Sequence, residues 1–251
     1  GKKIILSPEK SIQVQKSINS DIIMVLDECP KLTKDKNIIS SAIKVSTEWA
    51  KRCKIEFGNN NSKALFGIAQ GGLYKDLRIE SINKLIEIGF DGYAMGGLAV
   101  GEKQSDMFEI LSETTEFLPK EKPRYLMGVG TPEDLVRCIS NGVDMFDCVI
   151  PTRNGRNGQL FTRFGKINIK NARYKNDLSP IDELNNYKIS QQYTKAYLHH
   201  LFNTKEILGC RIATQHNLSF YNNLMKEIHA AIKNDNYLDW SNQFIKDYNS
   251  I

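Results

Sequence analysis

Two aspartates and a glutamine stand where short apolar runs of the sequence give way to glycine-rich loops. These are the residues whose types and places could do chemistry. Asp27 follows IIMVL, Gln70 follows LFGIA, and Asp147 lies within DMFDCVIP. A carboxylate beside a sugar can attack an anomeric carbon and hold it as an ester. A glutamine amide carries the donor and acceptor that read a purine-like base. A carboxylate can accept two N–H bonds from a guanidine-like edge. Gly71-Gly72, Gly96-Gly97-Leu98 and Met127-Gly128-Val129-Gly130 stand at comparable places, and glycine lets backbone approach a flat ligand closely. Each feature also has a plainer use. A strand-end aspartate can cap a helix or accept a loop hydrogen bond, and paired glycines often make turns.

The elements that must position these residues alternate along the chain. Strands are expected at Ile22–Leu26, at Ala64-LFGIAQ-Gly71, at Gly92-YAMGG-Leu98, from Arg124, and at Asp144–Thr152. Helices are expected at Lys36–Phe57, at Asp76–Ile88 stopped by Gly89, at Ser105–Phe117 with Ser105 as cap, and between Thr131 and Gly142. The last of these helices carries a capping residue, Thr131, and a proline at its first position, Pro132. Five apolar strands in strict alternation with helices predict a parallel sheet covered on both faces. In such sheets working residues gather at the carboxyl edge of the strands. Every candidate above falls at such an end.

After Pro151 the order changes. Leu160–Lys170 reads as a hairpin around Gly165, residues 176–192 are polar, and helical patterns return at Tyr193–Leu208 and His216–Lys233, with a short helix expected in the tail. Two regions are therefore expected: 1–158, bearing the strand-end residues, and 159–251, an appended subdomain.

Among the 251 residues Lys and Arg number 34 against 29 Asp and Glu. The excess is concentrated. Arg153, Arg156, Arg163, Lys166, Lys170, Arg173 and Lys175 fall between Pro151 and Asn176, where there is no acid. Such a stretch suits a polyanion, or is simply a solvated basic loop. No apolar run approaches the ~20 residues of a membrane span, so no membrane partner is expected, and no leader is visible. The chain opens Gly1-Lys2-Lys3 rather than on methionine, so its natural start is expected upstream or trimmed. The five cysteines, scattered without a C-x-x-C pair, are expected to be reduced thiols in a cytoplasm.

The strings SDIIMVLDECP, LFGIAQGGLYKDLR, GFDGYAMGGLAVGE, PRYLMGVGTPEDL, GVDMFDCVIPTRNGRNGQLFT, YTKAYLHHL and ATQHNL together resemble bacterial tRNA-guanine transglycosylases over nearly the whole chain. The resemblance implies a (β/α)8 barrel of the TIM type, here its C-terminal portion, followed by a counterpart of the family's zinc subdomain. It implies exchange of the wobble guanine of tRNA for a deazaguanine base in queuosine biosynthesis. Asp147 matches the nucleophile. Asp27 and Gln70 match base-binding residues, Gly97 and Leu98 the backbone contact to the base, and Cys29 and Met127 the pocket lining. Gly128, Val129, Gly130, Thr131, Pro132, Glu133 and Asp134 match one RNA-contacting stretch. Thr152, Arg153, Asn154, Gly155 and Arg156 match a second. Ala99-Val100 and Cys29 resemble the bacterial forms, which implies 7-aminomethyl-7-deazaguanine as incoming base.

Two departures go with the resemblance. The family has further barrel strands ahead of this region, with a second catalytic aspartate, so a homodimer or a partner chain completing the barrel is expected. The family's zinc is held by C-x-C-x-x-C and a later histidine. The matching positions here are Asn185, Tyr187, Ser190 and His216. One imidazole does not make a four-ligand site, so no cofactor is expected. The residues 176–192 are then expected to be looser than the barrel unless packing has replaced the metal. An accessory RNA-binding subunit without catalysis, or a decayed fragment, stands as the alternative reading.

Overall fold

The computed structural model describes residues 3–59, 62–185 and 187–250. They divide into two compact units, Gly1–Val129 with Cys138–Asp147 and Gly130–Arg137 with Cys148–Ile251.

The first unit is built on β1 (Ile22–Met24), β2 (Ala64–Ala69), β3 (Gly92–Met95), β4 (Arg124–Leu126) and β5 (Met145–Phe146). Each pairs in parallel with the next, in the order β1-β2-β3-β4-β5. Sequential order without reversal is how a (β/α)8 barrel is wound; a doubly wound sheet reverses at a switch point. The sheet is thus part of a TIM-type barrel. The helices α1 (Pro8–Ile18), α2 (Lys36–Phe57), α3 (Lys75–Ile88), α4 (Gln104–Thr114) and α5 (Pro132–Ser140) lie between or ahead of the strands in sequence, α5 belonging as far as Arg137 to the second unit. The core joins Ile23, Leu65, Ile68, Ala94, Met95 and Leu126 of the strands to Ile12, Ala50, Cys53, Ile82 and Leu111 of the helices. β2 and β3 are buried almost throughout, as expected when both faces of a strand are covered.

The outer edge of β1 is bridged at Met24 by a side chain. Gln15 of α1 donates from Nε2 to the carbonyl of Met24 and accepts the Met24 N–H at Oε1, each at 2.9 Å. A glutamine amide here plays the part of a neighbouring strand.

The second unit packs α6 (Ile150–Arg156), the antiparallel hairpin β6 (Gln159–Thr162) and β7 (Gly165–Asn168), α7 (Lys188–Gln192), α8 (Lys195–Asn203), α9 (Ile207–Lys233) and α10 (Tyr237–Tyr248). Leu160, Ile167, Ile169, Ile181, Leu198 and Ile212 form its core. Helix α6 lies tight on α9: a Cβ at Gly155 would come within 2.9 Å of the Thr214 backbone. Tyr237, Trp240, Phe244 and Tyr248 stack along α10, and the Arg163 guanidinium covers Trp240 and Phe244.

The structure departs from sequence expectation in four places. Helix α1 was not expected, although Ser7 caps it and Pro8 opens it, which is the usual start signal. Helix α4 begins at Gln104 rather than after Ser105, and Ser105 turns its hydroxyl to Asp106. The fifth strand stops at Phe146. Ile150 onward is helical, with Pro151 in its first turn, so Asp147, Cys148 and Val149 form the connecting loop. Finally, α9 starts at Ile207 rather than His216.

Candidate functional site

The carboxyl ends of the five parallel strands share one edge of the sheet, and the candidate residues follow those ends. Gln70 comes directly after β2, Gly96 after β3, Met127 after β4 and Asp147 after β5. Asp27 lies beyond β1, which ends at Met24.

Asp27, Gln70 and Gly97 meet. Gln70 is almost fully buried, its backbone N–H bonded to Ser81. Its Nε2 donates to Asp27 Oδ2 at 2.5 Å. Burial raises the Asp27 carboxyl above the usual range, and the bond from Gln70 opposes the rise. Gly97 adopts φ +64, and a Cβ there would lie 2.4 Å from Gln70 Oε1. Only glycine lets backbone run this close to the amide. Leu98 is buried in the core and Met127 packs against it. Cys29 is exposed. A cavity of about 20 Å3 touches Gln70, Gly97, Thr33 and Val100. That is room for about one water.

Arg78 of α3 holds this rim from below. Its side chain is fully buried. Nε donates to the Gly72 carbonyl at 2.7 Å and Nη2 to the Gly96 carbonyl at 3.0 Å. Burial lowers its pKa to about 10, against the raising effect of Glu102, so it stays charged at neutral pH. Glu102 in turn accepts the N–H groups of Ala99 and Val100 at 2.5 and 3.0 Å. The loop after β3 is therefore fixed at both ends by charged side chains.

Asp147 forms a second group at the same edge. It is exposed, and one oxygen, Oδ1, accepts the Tyr125 hydroxyl at 2.6 Å and the Gly128 N–H at 2.9 Å. Among the described residues no protein donor lies on Oδ2. The Tyr125 hydroxyl is held protonated well above its ordinary range, first by burial and then by the neighbouring carboxylate. It is therefore a fixed donor. Tyr125, Arg78 and Glu102 lie within the strings quoted above but were given no role there. Tyr125 reads as an ordinary strand residue, and a buried arginine leaves no periodic signal.

In the second unit Thr131 Oγ1 accepts the Asp134 N–H at 3.3 Å, as a helix cap does. The Gly130 carbonyl accepts the Tyr221 hydroxyl at 2.7 Å, and Pro132 and Asp134 are buried. On α6, Arg153 and Arg156 are exposed, whereas Asn154 bonds Gln159 at 2.6 Å and Gly155 is buried against α9. The arginines are thus the members of that stretch turned to solvent.

Asn185, Ser190 and His216 come together, all buried. Ser190 Oγ lies 2.8 Å from His216 Nδ1, and His216 Nε2 lies 2.9 Å from the Phe161 carbonyl. Tyr187 contributes its backbone N–H to Asn185 Oδ1 at 3.1 Å, while its ring is partly exposed. Within the stretch expected to be looser unless packing replaced the metal, Asn185 and Ser190 are held by side-chain hydrogen bonds.

Against known proteins, the family model described as Queuine tRNA-ribosyltransferase matches residues 1–250. A protein of that name from Dechloromonas aromatica (strain RCB) is 51% identical over 251 residues, 100% of this chain and 68% of that relative. Another from Francisella tularensis subsp. novicida (strain U112) is 51% identical over 248 residues, 99% of this chain and 67% of that relative.

Proposed function

Since the chain belongs to the queuine tRNA-ribosyltransferase family, we propose that it exchanges a guanine in tRNA for a modified base through a covalent bond to Asp147. The observation that carries this reading is the state of Asp147: one oxygen anchored by Tyr125 and Gly128, the other without a protein donor among the described residues. An anchored carboxylate is oriented without being neutralised, as a nucleophile requires.

The reaction proceeds by two displacements. Oδ2 of Asp147 attacks C1′ of the wobble nucleotide, the glycosidic bond breaks, and guanine leaves with the bonding pair. The nitrogen of the incoming deazaguanine then attacks C1′, loses its proton, and expels the carboxylate. Two inversions retain the sugar configuration. Asp27 accepts N–H bonds from the base, Gln70 reads its amide edge, and Gly97 with Leu98 offers backbone contact. Cys29 and Met127 bound the pocket. The compact Ala99-Val100 loop favours 7-aminomethyl-7-deazaguanine over a larger base. Gly128 to Asp134 and Thr152 to Arg156 track the RNA. The reading requires the remaining strands of an eight-stranded barrel, supplied by the same polypeptide or by a partner chain, a second copy included. It places the protein with its substrate tRNA in the cytoplasm. No helix among the described residues is long and apolar enough to cross a membrane.

The test incubates the protein, with its barrel complete, with tRNA and labelled guanine. Asp147→Asn keeps the shape and removes the charge, so both exchange and the denaturation-resistant adduct are lost. Tyr125→Phe removes one anchor and lowers kcat about tenfold with KM little changed, a loss on the scale of one bond to a charged group. An adduct formed by Asp147→Asn at the parent rate defeats the nucleophile assignment. Neither adduct nor exchange in the parent leaves an accessory RNA-binding role.

A further inference from the structure

Of the four positions that match the family's zinc ligands, Asn185, Ser190 and His216 hold a neutral hydrogen-bonded cluster in which their side chains are already committed, and Tyr187 joins it through its backbone N–H. A backbone carbonyl only accepts, so His216 donates from Nε2 to Phe161 O at 2.9 Å. Its Nδ1 is then unprotonated and accepts the Ser190 hydroxyl at 2.8 Å. This is a single neutral tautomer, the state that burial of the ring also favours. Asn185 Oδ1 accepts from three sides: Tyr187 N–H at 3.1 Å, Ser219 Oγ at 3.0 Å and Asn223 Nδ2 at 3.2 Å. Its own amide donates to the His216 carbonyl at 3.4 Å.

Zinc does not fit this set. An amide oxygen, a partly exposed phenol and an alcohol are poor replacements for thiolates, and the one imidazole has both nitrogens in use. A metal could bind His216 only by taking Nδ1 from Ser190, leaving a buried hydroxyl without its acceptor.

The cluster spans the elements that a metal would join. Ser190 lies on α7, His216 on α9, and Phe161 on β6, with Asn185 in the preceding loop. Ser190 and His216 have no exposed surface at all. Bonds across such a dry site are strong, and leaving a partner unpaired there is costly. We propose that Asn185, Ser190 and His216 form a metal-free clasp that joins α7, α9 and the β6–β7 hairpin in place of a zinc ion, so that the second unit folds without metal.

The experiment measures zinc content and thermal unfolding of the purified protein, expressed with added zinc, with and without a strong zinc chelator. The expected result is far less than one equivalent of zinc and a Tm that the chelator leaves unchanged. Ser190→Ala strands Nδ1 in the interior and lowers Tm on the order of 5 °C. Ser219→Ala, at the edge of the cluster, gives a smaller fall and keeps the test readable if Ser190→Ala does not fold. One equivalent of zinc together with a chelator-induced drop in Tm overturns the proposal. So does a Tm that neither substitution moves.

Discussion

At the residue scale, the pairing of Asp27 with Gln70 bears on stability and, under the proposed function, on activity. The folded-state pKa of Asp27 is raised, first by burial. Between the unfolded and folded values the native chain holds a proton that the unfolded chain has released. Its contribution to stability is therefore present at low pH and is lost as pH rises through the folded value. Asp27→Asn keeps an oxygen for Gln70 Nε2 and removes the buried charge. The variant is expected to unfold at a Tm a few degrees above the parent at neutral pH, with the gap closing in mild acid, while base exchange is lost. Thermal unfolding followed across pH checks this, and a gap that widens in acid refutes it. Asp27, Gln70 and Asp147 were legible in the sequence because each follows an apolar strand. Tyr125, which aims Asp147, was not: its role depends on register between β4 and β5, where Tyr125 pairs with Met145. The meeting of Ser190 and His216 was implied by the resemblance, which sets both at positions of one zinc site, whereas spacing alone does not declare a polar pair so far apart in sequence.

At the scale of elements, the parallel order was readable from alternation alone, whereas several boundaries were not. Asp144 to Thr152 looks like one apolar run, yet Pro151 cannot supply a ladder N–H and suits a first helical turn. The strand therefore ends early, and Asp147 sits exposed in a loop. The Gln15 bridge to Met24 was also invisible, because it makes a helix side chain serve a strand edge. Gln15→Ala leaves the outward N–H and carbonyl of Met24 to water. The expected loss is about 1–2 kcal/mol, read as a Tm lower by several degrees. An unchanged Tm shows that solvent serves the edge as well as the amide does.

At the scale of the molecule, the small net charge of +5 conceals how its cations are spent. Of the seven in the acid-free segment, Arg163 is paired, with Glu227 and Asp247. Among the described residues the other six are exposed and make no ion pair with a carboxylate. Of these, Arg173 bonds and stacks on Tyr174 and Lys170 lies over Phe202, and an exposed guanidinium such as that of Arg153 can meet phosphate. Arg153→Ala is expected to weaken tRNA binding and to reduce the slope of log affinity against log salt by about 1, with binding of free base unchanged. Filter binding at several salt concentrations checks it, and an unaltered slope removes Arg153 from the RNA interface. The stack on α10 has an optical consequence. The chain has two tryptophans; Trp49 belongs to the first unit and Trp240 to the second. Trp240 is sandwiched between Tyr237 and Phe244 beneath a guanidinium, so its emission changes at once when that stack parts. With Trp49→Phe the fluorescence of the chain becomes a private record of the second unit, and with Trp240→Phe of the first. The order in which the two units melt can then be read from light alone.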